Sequence, residues 1–214
     1  MQKVLLLVCA LIFTTYASAQ EEEHRYLFNI GGGPGFPVST VSDLADIGGH
    51  FVAGGGVNTK RGLGADAEFM WHDLPPKQSI VAATGAPDGA ARMYSVTGNL
   101  LFHSQESHKA GLYGIGGIGW YHRSWELTRP TLAIGTTCLP SYAWWGVVCT
   151  NGLVSADAEI RGGSSNAFGF NLGGGLTFRL GESHTKFYTE LRYHHAYTSK
   201  VSTTVLPLTF GFRF

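Results

Sequence analysis

Leu206-Pro-Leu-Thr-Phe-Gly-Phe-Arg-Phe214 decides the fold. Leu206, Leu208, Phe210, Phe212 and Phe214 fall at every second position, with Pro207, Thr209, Gly211 and Arg213 between them. Successive side chains of a strand point to opposite faces, whereas a helix would scatter these five around its circumference. The stretch reads as a strand with one greasy face and one small or polar face.

The same rhythm recurs upstream. Phe187, Thr189, Leu191, Tyr193 and Tyr197 alternate with Tyr188, Glu190, Arg192 and His194. Phe168, Phe170, Leu172, Leu176 and Phe178 oppose Asn171, Thr177, Arg179 and several glycines. Tyr94, Val96, Leu100 and Phe102 oppose Ser95, Thr97 and Asn99, and Leu63, Ala65, Ala67, Phe69 and Trp71 oppose Asp66, Glu68 and His72. Segments near 25–33, 50–59 and 109–123 are strand-like, but glycines blur their alternation, and the faces of the third stay unassigned. Eight segments result, each long enough for the ~9–11 residues of a tilted membrane strand.

The connections alternate in length. Long ones fall near 34–47, 74–89 and 126–165; short ones fall near 60–62, 104–108 and 181–185. The last hairpin, near 198–202, is short although it falls in the long series. Short turns at one end and long loops at the other are the habit of an outer-membrane barrel, and an even strand number closes it. The expected fold is all-β: an eight-stranded antiparallel up-and-down transmembrane β-barrel.

The polar faces set the orientation. They carry Asp66, Glu68, Arg179, Glu190, Arg192 and Arg213, three acids and three bases. An Arg turned to lipid costs about 2–4 kcal/mol near the midplane. Enclosed in a narrow barrel, the charges pair instead, and we expect an interior charge network that plugs the lumen. Rings near strand ends (Trp71, Tyr94, Phe168 and Tyr197 at one rim; Tyr26, Phe102, Phe178, Phe187 and Phe214 at the other) suit the two membrane interfaces.

The N-terminus reads as a cleavable signal peptide over residues 1–19, leaving residues 20–214 as the barrel domain. Lys3 precedes the apolar run Val4–Phe13, and Ala17-Ser18-Ala19 supplies the small residues at the cut. That run is too short for a membrane helix. Export makes a disulfide the default for Cys138 and Cys149. Charge is balanced, with 15 basic and 15 acidic residues, so no basic block points to nucleic acid.

The tail, taken with Phe187-Tyr-Thr-Glu-Leu-Arg-Tyr-His-His-Ala-Tyr197, resembles the last hairpin of the small outer-membrane β-barrel proteins, the OmpA/OmpX-like superfamily. The resemblance implies residence in a Gram-negative outer membrane, among its lipid and lipopolysaccharide. It also implies that Phe210, Phe212 and Phe214 form the signal read by the barrel-assembly machinery. The superfamily shares no single activity; its members include anchors and adhesins.

No motif demands enzyme chemistry. Gly114-Ile-Gly-Gly-Ile-Gly119 matches a dinucleotide fingerprint, but Trp120-Tyr-His-Arg123 follows it without helical period, and the glycines suit close strand contact instead. His194 and His195 point to opposite faces of a strand and do not share a metal easily. Lipid A deacylases resemble a His-x-Ser arrangement near an outer strand end. Here His195 is followed by Tyr197, Thr198 and Ser199, and the nucleophile's matching position is not a serine. No catalytic residue, cofactor or metal is expected. A structural or surface-interaction role through outer loops leads, with a lipid-modifying enzyme or a narrow channel as alternatives. Tyr142, Trp144 and Trp145, within or beside the Cys138–Cys149 span, are the candidate contact surface for an extracellular ligand.

Overall fold

The computed structural model describes residues 26–59, 62–104, 110–140, 147–181, 185–198 and 202–214. The expected signal segment 1–19, Ser199 and the expected contact residues Tyr142, Trp144 and Trp145 lie outside them. Eight antiparallel strands close into a barrel in sequence order: β1 Tyr26–Pro37, β2 Gly48–Asn58, β3 Leu63–Asp73, β4 Asp88–His103, β5 Ala110–Pro140, β6 Val147–Arg179, β7 Lys186–Ala196 and β8 Thr203–Arg213. β1 pairs with β8 to close the ring, and Phe28 and Phe214 exchange two backbone hydrogen bonds at that seam, of 3.1 and 2.8 Å.

The two-residue rhythm holds on every strand that showed it. In β3 exposed and buried positions alternate from Leu63 to Met70. Phe28, Val96, Leu100, Leu172, Phe210 and Phe212 are exposed, whereas Asn29, Asp66, Glu68, Asn99, Asn171, Glu190 and Arg192 are buried. Oily outside and ionic inside is the arrangement of a barrel dissolved in hydrocarbon, the reverse of a soluble one. In β5, Tyr113, Ile115 and Tyr121 face in, and Leu112, Ile118 and Trp120 face out. The apparent nucleotide motif, Gly114–Gly119, lies in the first third of this strand, paired on both sides by β4 and β6. A Cβ on Gly117 would sit 2.2 Å from the Asn99 side chain, so this glycine makes room for an interior polar group.

One expectation is corrected. The stretch 126–165 is not a long loop: β5 and β6 continue through it as a paired ribbon, in register from Thr128↔Glu159 to Pro140↔Val147. The register slips by one between Leu127 and Thr128, a β-bulge at the point where the ribbon leaves the wall. β4 supports β5 only up to Asp88↔Thr128, and Phe168 is the last residue of β6 bonded beyond β7, to Tyr197. Beyond those points the ribbon has no neighbouring strand among the described residues. Successive residues are exposed across Arg129–Leu132 and Ala158–Gly163, so there is no alternation to read.

At the same end, the other two long connections fold over the mouth. A 3-10 turn, Ser39–Asp43, lowers Val41 into the lumen. A short helix, α1 Gln78–Ala83, presents Val81. The two loops are zipped together by Asp46 N–H to Pro75 O at 2.8 Å and Lys77 N–H to Leu44 O at 2.9 Å.

Candidate functional site

The lumen is filled in layers. At its centre, Arg192 donates to Glu190 at 2.7 Å and to Glu68. Glu68 also accepts from Asn29 and, at 3.0 Å, from Asn99. Asn99 donates to Asp66 at 2.8 Å and accepts from Asn171 at 2.8 Å. Tyr113 donates to Glu190 at 2.8 Å. Glu68 and Arg192 are 2% and 1% exposed, so each charge depends on these partners rather than on water.

Six strands contribute, because register brings Gly54 of β2 opposite Glu68 and Gly56 opposite Asp66. A Cβ on Gly54 would lie 2.5 Å from Glu68 and 2.7 Å from Asn29. Below this layer, towards the short turns, the Arg213 guanidinium lies over Tyr113 at 4.5 Å and Tyr188 at 5.0 Å. Thus Asp66, Glu68, Glu190, Arg192 and Arg213 share one interior. Arg179 does not: it is exposed at the end of β6, where alternation continues past the barrel wall.

Towards the loops lies a layer that strand reading did not assemble. His50, His72 and His194 are buried, with ring centroids 5.5 Å apart for His50–His72 and 5.9 Å for His72–His194. Thr209 holds His50 at 2.8 Å, and Tyr121 holds His194 at 3.0 Å. The inward phase of β3 and β7 was a usable signal for His72 and His194, but only the register across β2, β3 and β7 places the three rings at one height. No three metal-binding side chains are gathered as ligands among the described residues. His195 faces the other way, beside Phe170, Tyr193 and Tyr197, and bonds Thr204 at 2.9 Å.

Val41 and Ala45 from the first loop close the lumen with Leu74, Met93, Tyr121 and Val205. Above them, between the two zipped loops and the β4–β6 wall, lies a cavity of about 530 Å³. Farther out stands the ribbon, tied by the Cys138–Cys149 disulfide. Leu132, Ile134 and Leu153 are exposed on it, Ile134 by 90%.

The profile of the outer membrane protein beta-barrel domain matches residues 5–214. The chain belongs to that family. Among solved structures, this outer-membrane barrel is similar to Neisserial surface protein A, with 10% identity, 90% of this chain and 98% of the other covered, and a TM-score of 0.59. It is also similar to a major outer membrane protein from Thermus thermophilus, with 12% identity, 89% and 99% coverage, and a TM-score of 0.56. The attachment invasion locus protein Ail of Yersinia pestis aligns with 17% identity, 90% and 100% coverage, and a TM-score of 0.48. No curated protein matches the sequence. At such identities the likeness is one of fold. Family and fold together place the barrel in the bacterial outer membrane, with the long loops and the ribbon at the outer face.

Proposed function

We propose that this outer-membrane barrel is a surface-interaction protein whose working part is the β5–β6 ribbon. The observation that carries this reading is the ribbon's unsupported projection: some 10 residues separate Thr128 from Cys138, roughly 33 Å at a strand's rise. A solvated strand pair tied near its tip and bearing exposed Leu132, Ile134 and Leu153 has both free edge amides and an apolar patch. Such a surface suits an extended polypeptide partner, which adds main-chain bonds and side-chain contacts together.

Replacing residues 129–160 by a short turn, in cells displaying equal amounts of folded barrel, tests this. Adhesion to extracellular-matrix proteins or host cells should fall to that of cells without the protein. Unchanged adhesion sinks the proposal.

A further inference from the structure

The cavity under the outer loops has a roof that is held in place. Val38 N–H donates to Thr204 O at 3.1 Å and Leu74 N–H to Ala91 O at 2.9 Å, rooting the first loop on β8 and the second on β4. The Asp46–Pro75 and Lys77–Leu44 bonds then hold both loops as one canopy. Beneath it lies the cavity of about 530 Å³. Val41, Leu44, Leu74, Ile80 and Val81 line it from the canopy, and Ala90, Ala91 and Leu127 line it from the strands. Arg92, Arg123 and Glu126 also border it, and Glu159 joins Arg92 and Glu126 around an adjoining hollow of about 290 Å³. Two guanidiniums and two carboxylates sum to zero charge. Arg92 lies 3.6 Å from Glu126, and Arg123 donates to Ser165 at 3.0 Å and to Thr203.

We propose that this cavity binds a small, neutral, apolar molecule taken up from the medium outside the cell. Its volume lies within the range of small-molecule sites, and its mainly hydrocarbon lining is typical of them. An aliphatic wall does not hold ordered water, so hydrocarbon gains more than a polar solute does by entering. An ion of either sign loses its hydration on entry and meets no net counter-charge, so the matched lining disfavours both. The canopy belongs to the outer loops, which open the cavity to the medium; an acyl tail has to leave the leaflet to reach it. Every residue lining the larger cavity lies outside 129–160, so the site is separate from the ribbon.

The test uses the full mature chain in phosphatidylcholine nanodiscs, titrated with straight-chain alcohols from hexanol to decanol and followed by ligand NMR, with empty nanodiscs subtracted. Binding should saturate and tighten about fourfold per methylene. At neutral pH, octanoate and octylammonium should both bind about tenfold more weakly than octanol, or weaker still. Ala90→Trp, which fills the cavity, should abolish saturable octanol binding. Ile80→Asn, which makes the canopy polar at an exposed position, should weaken it about tenfold. Heat-modifiable migration confirms that each variant is folded.

Equal binding in wild type and both variants reflects bilayer partition and overturns the proposal, as does the absence of saturable binding. A preference for either ion over octanol overturns it too. Native mass spectrometry of protein transferred directly from its membrane supplies the remaining check. A phospholipid or lipid A retained by wild type and lost in Ala90→Trp shows that a membrane tail is the occupant, which also overturns uptake from the medium. The chain with residues 129–160 replaced should still bind octanol, so loss of adhesion and loss of solute binding are distinguishable.

Discussion

The Glu68 carboxylate concentrates the consequences of burial in one side chain. It meets Arg192, Asn29 and Asn99, and nothing solvated stands behind it. Glu68→Ala leaves the Arg192 charge with Glu190 alone, so unfolding in urea from lipid vesicles should be easier by about 3–5 kcal/mol. A loss below about 1 kcal/mol would mean that the network is ornamental to stability. The glycines give a paired test. Gly54→Ala must displace Glu68 or Asn29, and about 1–3 kcal/mol should be lost. Gly98→Ala meets nothing within 4 Å and should be neutral or slightly stabilising in the same assay.

Among the elements, the strands of the membrane span were legible because each separates two solvents. In β8, Phe210 and Phe212 meet lipid while Thr209 and Arg213 meet the lumen, and alternation records the difference. The outer halves of β5 and β6 were not legible. Across Arg129–Leu132, Asn151–Leu153 and Ala158–Gly163 successive residues are exposed, so the pattern that marks a strand is missing although the ladder is present. The histidine layer was half legible: the phase of β3 and β7 sent His72 and His194 inward, the glycines of β2 hid that of His50, and their common height depends on the stagger between strands, which no single segment encodes. The Cys138–Cys149 pair was read from compartment and count, and it ties the ribbon where barrel packing cannot reach. Cys138→Ser should therefore leave the barrel's heat-modifiable migration unchanged while making 126–165 several-fold more sensitive to added protease. The tie closes a short loop and stabilises the ribbon by about 3 kcal/mol. Equal protease resistance with and without the disulfide would show that the strand ladder alone suffices.

For the whole molecule, lumen and loops act as stoppers in series. The Val41 turn, the histidine layer, the ionic layer and the Arg213–Tyr113–Tyr188 cluster occupy the bore in succession. Eight strands leave an interior that side chains fill. Reconstituted into planar bilayers, the protein should show no conductance steps above background; regular steps would show that a stopper moves. Orientation is tested at the same scale, since the oily exterior predicts that the purified mature chain stays a monodisperse barrel only in detergent or lipid.

Phe28 of β1 and Phe214, the residue that follows β8, clasp each other across the seam, both rings on the outer face. A polypeptide halted before Thr203 would have seven strands and two bare edges, with β1 awaiting a neighbour that never arrives. Closure therefore hangs on β8 alone: the open sheet would lie exposed to proteases in the envelope, whereas the closed ring leaves no unpaired strand edge in the barrel wall among the described residues.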